Sequence, residues 1–293
     1  MKIVITIPAL NEENTLSRVL EEINDVMKNT SYRWQVLVVD DGSTDKTRDV
    51  AKKHGAIVIS HKRNKGLAEA FKTEVKNALK EGADIIVHTD ADGQYPAKHI
   101  PELIKKIEEG YDLVLGSRFA GKIEEMPFLK RIGNKAFSRT LSHFTKTKLT
   151  DVTTGFRAFT KEVAEEINII NTFTYTQEQI IKASLKKFRI AEIPIEAKKT
   201  RESRLFRSSW EYAWKAWINI FRIYRDYEPL RFFGRIGSIM FLLGFIIGLY
   251  LLYEILTTGE VGGIPRVVLS GVLMLTGIQI ILFGFLADMW QGR

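Results

Sequence analysis

Two carboxylates one residue apart, with an amide two positions further on, stand at Asp90-Ala91-Asp92-Gly93-Gln94. All three side chains offer oxygen, the donor that Mg2+ and Mn2+ take. A divalent cation held there can bridge a diphosphate and neutralise charge gathering on a departing nucleoside diphosphate. An Asp-x-Asp by itself is common in loops, but this one directly follows an apolar run at residues 84–89. A second acidic cluster, Asp40-Asp41-Gly42-Ser43-Thr44-Asp45, follows another apolar run at residues 34–39. A carboxylate there can accept the N–H groups of a base and the hydroxyls of a ribose, while Gly42 and Ser43 also suit a turn and a helix cap. The opening run ends in Ile7-Pro8-Ala9-Leu10-Asn11-Glu12-Glu13, whose backbone can line a base.

The elements that must position these residues follow from periodicity. Residues 2–8, 34–39, 56–60, 84–89 and 112–117 read as strands. Helical patterns run from about 12 to 28, from a cap at Ser43 or Thr44 toward His54, over 66–81, over 101–109 and over 130–141. Strands alternating with helices predict an α/β domain with a mostly parallel sheet, whose strand-end loops gather on one edge. Ligands bind at that edge. The chain has no cysteine, which excludes a disulfide framework, a thiolate metal site and a cysteine nucleophile. The five histidines (His54, His61, His88, His99 and His143) show no ligand spacing and read as packing or surface residues.

The chain changes character near residue 230. Residues 236–253 and 267–286 carry no charge, and each helix would be roughly 27–30 Å long, enough to cross a hydrocarbon core. The alternative, two buried helices of a large soluble domain, leaves nothing downstream to bury them. Gly244 and Gly248 form a small-xxx-small pair able to bring helices together, within a hairpin or between copies. Arg222, Arg225, Arg231 and Arg235 precede the first span, while the linker ends in Arg266 alone, a bias that places the preceding domain in the cytoplasm. The opening MKIVITIPALNEEN has no long apolar run and no cleavage site, in keeping with a cytoplasmic start. Between the two parts, Trp210, Trp214, Trp217, Phe221 and Tyr224 share one helical face, with Arg207, Lys215, Arg222 and Arg225 off it. That pattern predicts an amphipathic helix lying in the membrane interface, or packed on the domain. The expected divisions are a catalytic domain over 1–206, the interfacial helix over 207–230 and a hairpin over 231–293, with spans about 234–256 and 265–287. No nucleic-acid motif accompanies the formal charge of +8, so the basic balance points to lipid and phosphorylated substrates.

In order, Pro-Ala-x-Asn-Glu-Glu, Val-Asp-Asp-Gly-Ser-x-Asp and Asp-Ala-Asp-x-Gln resemble the catalytic domain of glycosyltransferase family 2, which has the Rossmann-like GT-A fold. Gly116-Ser117-Arg118-Phe119, the segment from Asp151 through Thr153 and Gly155 to Arg157, Glu192-Ile193-Pro194-Ile195, and Arg201-Glu202-Ser203-Arg204-Leu205 extend the resemblance to the polyprenyl-phosphate branch, over about residues 2–230. The resemblance implies that Pro8, Leu10, Glu12 and the Asp40-Asp41 pair hold the nucleoside and that Asp90 faces the ribose and metal. Asp92 and Gln94 would ligate Mg2+ or Mn2+ with the diphosphate. Arg118, Arg131 and Arg201, with Ser203 beside them, would gather the acceptor phosphate; guanidinium forks suit its oxygens. Ser203-Arg204 stands where the family often has Ser-Lys, and the residue after Arg131 that reaches the phosphate is left open.

The reaction so implied moves one hexose from GDP-mannose or UDP-glucose to dolichyl or undecaprenyl phosphate, with inversion, at the cytoplasmic face of the cell membrane. A phosphate monoester, with a second pKa of about 6, needs no base to attack. Glu178 is accordingly read as structural or acceptor-positioning. A processive polysaccharide synthase would carry a Gln-x-x-Arg-Trp element, and Arg33-Trp34 has Thr30 in the Gln position and lies too far upstream. Transfer to protein or a soluble glycan fits the hairpin poorly. A non-catalytic scaffold would be expected to lose Asp90, Asp92 or Gln94.

Overall fold

The computed structural model describes residues 1–123, 128–145, 147–170, 175–198, 218, 221–222, 224–226, 228–260 and 263–290. The chain divides into two compact units, Met1–Ser209 and Trp210–Arg293.

The first unit is built on a seven-stranded sheet of order β3-β2-β1-β4-β6-β5-β7. The strands are β1 (Lys2–Ala9), β2 (Arg33–Asp40), β3 (Ile57–Ser60), β4 (Ile85–His88), β5 (Leu113–Ile123), β6 (Arg157–Thr160) and β7 (Ile190–Ala197). Helices α1 (Leu16–Lys28), α2 (Thr47–Lys53), α3 (Leu67–Lys80), α4 (Ile100–Glu108), α5 (Phe128–Thr145), α6 (Lys161–Glu166) and α7 (Thr176–Leu185) connect them. The central strands are apolar on both faces because helices cover both. Ile3, Val4, Ile5 and Ile7 of β1, Val38 and Val39 of β2, and Val87 of β4 are fully buried. Each such side chain contributes about 1.5–3 kcal/mol of burial.

β1 pairs in parallel with β2 on one side and β4 on the other. The chain builds outward from β1 to β3, then returns through α3 to β4, so the connections diverge on either side of β1. That reversal opens a crevice beyond the carboxyl ends of β1, β2 and β4, where doubly wound sheets bind ligands. Ala9, Asp40 and His88 close those strands, which places the three sequence clusters together at this edge.

The strand expectations hold to within a few residues, with informative differences. β5 runs on to Ile123, and neither β7 nor β6 is among the expected strands; β6 bears most on the topology. It has four residues and runs antiparallel to both β4 and β5, making the sheet mixed. Helix α1 begins at Leu16 rather than near 12 because Glu12 opens a turn instead, its carbonyl accepting from Thr15 and Leu16. Helix α2 begins at Thr47 and has no side-chain cap. Ser43 and Thr44 are not its caps because Asn11 takes both: its N–H donates to Ser43 Oγ and its Oδ1 accepts from Thr44 N, each at 2.9 Å. Asn11 adopts a left-handed φ of 54° to do so.

The second unit contains two long apolar helices, α8 (Pro229–Thr258) and α9 (Ile264–Trp290), with mean hydropathy of 2.3 and 2.2 over their most apolar windows. Both are long and apolar enough to cross a membrane. Most of their surface is open, including Ile246, Leu249, Leu275 and Phe283. They pack on each other along a seam spaced by sevens: Gly237, Gly244 and Leu251 on α8 against Ser270, Gly277 and Gly284 on α9. A Cβ added at Gly237 would stand 2.5 Å from the Gly277 carbonyl oxygen, and one at Gly244 2.8 Å from that of Ser270. Ser270 Oγ donates to the Gly244 carbonyl at 2.8 Å. The small residues thus bring two backbones together within the hairpin, and a seven-residue seam, rather than the Gly244 and Gly248 pair alone, carries the contact. Of the aromatic stripe, Trp210, Trp214 and Trp217 lie outside the described residues. Phe221 and Tyr224 meet Phe232 edge-on, with ring centroids 4.8 and 5.3 Å away.

Candidate active site

The loops after β1 and β2 are laced together. Besides the Asn11 bonds, Glu12 N donates to Thr47 Oγ1 at 2.8 Å, Glu13 N to Asp45 Oδ2 at 3.2 Å and Lys46 N to Glu13 Oε2 at 3.0 Å. Glu12 is buried and accepts from Thr15 Oγ1 at 2.9 Å, so its carboxylate braces the start of α1. Pro8 and Leu10 are half-buried at the rim. Asp40 is wholly buried; its Oδ1 accepts from Ser43 N at 2.9 Å, and Oδ2 lies 3.5 Å from Arg48. Asp41 organises the loop after β3. Its Oδ1 accepts from Lys65 N at 2.9 Å and lies 2.6 Å from His61 Nδ1, while Oδ2 accepts from Gly66 N at 2.8 Å. His61 Nε2 meets Thr73 Oγ1 at 2.9 Å. Gly42 is required here: its φ is 81°, and a Cβ would stand 2.6 Å from the Arg63 backbone.

Asp90 and Asp92 rise from the end of β4. The Asp92 carboxylate accepts from Gln94 N at 3.0 Å, which closes a tight turn around Gly93 and holds the two residues together. Asp90 keeps 30% of its side-chain surface open. The enclosing protein, then the neighbouring Asp92 charge, nevertheless push its pKa up to about 6, against the opposing pull of His88 and Arg118. The backbone of Gly155 lies under it, where a Cβ would stand 3.1 Å from both carboxylate oxygens.

A buried polar column stands behind Asp90. His88 Nε2 is 3.9 Å from Asp90 Oδ1 and 2.6 Å from Tyr175 OH, and its Nδ1 is 2.6 Å from Glu74 Oε2. Tyr175 stacks on Phe71 with centroids 3.9 Å apart. Arg157 lies over the Tyr175 ring and donates to the Thr176 carbonyl, Gln179 Oε1 and the Thr154 carbonyl. Reading His61 and His88 as plain packing therefore understates them: each is bonded to, or stands behind, an aspartate of the edge.

Arg118 leaves the β5 ladder within the irregularity between Ser117 and Lys122. It is buried against Asp151 in a two-pronged pair, Nε to Oδ2 at 2.6 Å and Nη2 to Oδ1 at 3.0 Å, and Nη2 also donates to Thr153 Oγ1 at 2.8 Å. It is close enough to Asp90 for each to influence the other's ionisation. Arg131 lies on α5 and is exposed. Arg201 and Ser203 fall outside the described residues. Glu178 accepts from Ile170 N at 2.9 Å and pairs with Lys182 at 2.7 Å, in keeping with a structural reading.

Asp41, Asp90, Asp92, Gln94 and Arg118 thus share the carboxyl edge of one sheet. Among the described residues no group of three or more His, Asp or Glu could hold a metal ion. The donor set on offer is two carboxylates and the Gln94 amide. It fits a hard divalent cation, since all three are oxygen donors and the mutual repulsion of the carboxylates is what a cation relieves.

Residues 4–168 match the family described as glycosyl transferase family 2. The chain belongs to that family. It is 34% identical over 193 residues to the dolichyl-phosphate hexose transferase of Haloferax volcanii, covering 66% of this chain and 81% of the relative. It is 32% identical over 216 residues to the UDP-N-acetylglucosamine–dolichyl-phosphate N-acetylglucosaminyltransferase of Methanococcus voltae, covering 66% and 84%. The structure of glucosyl-3-phosphoglycerate synthase from Mycobacterium tuberculosis, in complex with Mn2+, UDP and phosphoglyceric acid, shares the fold with a TM-score of 0.60 at 19% identity, covering 75% of this chain and 78% of that one. The protein is therefore a family 2 glycosyltransferase with a GT-A domain, of the branch whose relatives transfer sugars to polyprenyl phosphates.

Proposed function

We propose that this enzyme transfers a single hexose from GDP-mannose or UDP-glucose to a polyprenyl phosphate, with inversion and with a divalent metal, at the cytoplasmic face of a membrane. The observation that carries the reading is the juxtaposition at one sheet edge of a repelling carboxylate pair and a buried arginine held in place by Asp151. A bound Mg2+ or Mn2+, held by Asp90, Asp92 and Gln94, would supply charge neutralisation for the leaving diphosphate.

The chain's own residues do the rest. Pro8, Leu10 and Glu12 border the nucleoside crevice. Asp40 and Asp41 fix the loops that close it, and Asp41 Oδ2, which accepts from Gly66 N, keeps capacity to accept a further N–H. Asp90 faces the ribose. Arg118, pre-oriented by Asp151, turns its remaining guanidinium face toward the acceptor phosphate, joined by Arg131. Lys198 N donates to the Gln94 carbonyl at 3.0 Å. The family resemblance adds Arg201 and Ser203, which lie outside the described residues. An ionised oxygen of the acceptor phosphate forms a bond to the anomeric carbon as the bond to the diphosphate oxygen breaks, and its electron pair leaves with the nucleoside diphosphate. No side chain need take a proton, so positioning and electrostatics supply the acceleration. We assign the catalytic domain to 1–206, an interfacial helix to 207–230 and a membrane hairpin to 231–293. The cytoplasmic side follows from Arg222, Arg225, Arg231 and Arg235 ahead of the first span.

The test is transfer by the purified protein, with Mg2+ or Mn2+ and a polyprenyl phosphate, against labelled GDP-mannose, UDP-glucose and UDP-N-acetylglucosamine. Label in the lipid phase from one donor is the expected result. Label only in a protein or polysaccharide fraction overturns it.

A further inference from the structure

Glu192 lies on β7, in register with Leu115 of β5. It shares a face of β7 with Glu196, four residues on; Glu196 is exposed and pairs with Lys98, whereas Glu192 is half-buried and forms no ion pair among the described residues. All its partners are neutral donors on one turn. Oε1 accepts from Thr150 N at 2.9 Å and Asp151 N at 3.0 Å, and Oε2 accepts from Thr150 N and Thr150 Oγ1, each at 2.8 Å. Thr150 Oγ1 in turn meets Ser117 Oγ at 2.5 Å, beside Arg118 on β5. Burial disfavours the charge of Glu192 and pushes its pKa up, and the nearby Asp151 charge adds to this against the pull of its hydrogen bonds. A carboxylate without a counter-charge, spent wholly on the two residues that lead into the partner of Arg118, calls for a reason beyond filling space.

The two backbone N–H groups it holds fix where Asp151 Cα stands. Asp151 then presents both oxygens to Arg118, and Arg118 N itself donates to Asp151 Oδ2 at 3.2 Å. The guanidinium fork is planar and rigid, so a tilt of the carboxylate turns the whole fork. We propose that Glu192 is a positioning residue for the acceptor phosphate: it locks the Thr150 and Asp151 turn, and through Asp151 sets the direction in which Arg118 offers its free face. This rests on the proposed acceptor role of Arg118. The donor side, on β1, β2 and β4, has no bond to Glu192.

The role is geometric, and a neutral acceptor of the same shape serves it. Glu192→Gln keeps an oxygen for the two backbone N–H groups and an NH2 that donates to Thr150 Oγ1; Glu192→Ala takes the acceptor from the buried Asp151 N–H and releases the exposed Thr150 to water. The experiment compares KM for polyprenyl phosphate and for the nucleotide sugar in wild type, Glu192→Ala, Glu192→Gln and Thr150→Val, the last removing only the hydroxyl contacts. Expected for Glu192→Ala is a rise of roughly tenfold in acceptor KM, with donor KM within about twofold of wild type. Thr150→Val should move the same way by less, and Glu192→Gln should restore most of the acceptor affinity. If Glu192→Ala does not fold, Thr150→Val and Glu192→Gln still decide the matter. Unchanged acceptor KM in Thr150→Val and Glu192→Ala, or an equal rise in both KM values, overturns the inference. So does a loss in Glu192→Gln as severe as in Glu192→Ala. A wild-type enzyme that labels no lipid with any donor overturns instead the function on which it rests.

Discussion

The ends of β4 and β5 hold opposite electrostatic solutions. Asp90 and Asp92 stand one residue apart with like charge, and Asp90 is lifted to a pKa of about 6. At Arg118, five residues past the start of β5, the charge is answered within the chain by Asp151, which is wholly buried, and the pair is finished with Thr153. The first arrangement brings two like charges together, a repulsion that a bound cation would relieve. The second is complete beforehand and offers a fixed direction rather than an unmet charge. A reaction that expels a diphosphate and admits a phosphate monoester uses both: movable positive charge where negative charge develops, and a rigid fork where an anion must be aimed.

That contrast is most sharply broken at Asp92. Asp92→Ala should lower kcat by about a thousandfold and leave the melting temperature near that of wild type, because removing one of two repelling carboxylates relieves strain. Near-normal turnover in that variant would end the metal assignment. Arg118→Ala should behave in the reverse way and destabilise by about 3–5 kcal/mol, since Asp151 is left as a buried, unpaired charge. Urea unfolding of the two variants side by side reads the difference directly. Arg118→Lys keeps the charge but not the fork, and should fold while raising acceptor KM by roughly tenfold.

The sequence shows the proposed donor side better than the proposed acceptor side, and the reason is separation along the chain. Strands β1, β2 and β4 are mostly apolar runs, and each delivers its acidic or proline cluster directly at its carboxyl end. Periodicity and adjacency therefore suffice to read them. The acceptor side depends on Arg118 meeting Asp151 thirty-three residues later, and on Glu192 meeting both from β7. No local pattern announces such pairings, although all three residues lie in segments that the family resemblance marks out. Strand β6 was hidden because it opens with Arg157, whose charge is buried in the column behind Asp90 and breaks the apolar run that marks β3 and β4, which are equally short. Ser43 and Thr44 were misread as caps because Asn11, from another loop, competes for both. In the second unit, the spans are plain from hydropathy, but the seam of mostly small residues spaced by sevens becomes visible only once α9 folds back on α8.

Two smaller changes probe the donor side without touching a ligand. Gly155→Ala places a methyl 3.1 Å from both Asp90 oxygens, tighter than a carboxylate tolerates without moving. Asp90 should shift by a few tenths of an ångström and kcat should fall by roughly tenfold, with acceptor KM unchanged. An unaltered kcat would mean that Asp90 is not held to a tight geometry.

The mildest test falls on His61, the one side chain among the described residues that braces Asp41. Two backbone N–H groups also hold that carboxylate, so His61→Ala removes a single bond of a set, and the loop after β3 keeps its course. The loss should appear as a rise of about fivefold in nucleotide-sugar KM, the worth of one ordinary hydrogen bond, with kcat and acceptor KM little changed. Asp41 is buried, and without His61 its Oδ1 still accepts from Lys65 N, so the fold should survive. A change in acceptor KM instead would mean that the two strand ends are not independent, and that the Asp41 loop reaches across to the side on which Arg118 stands.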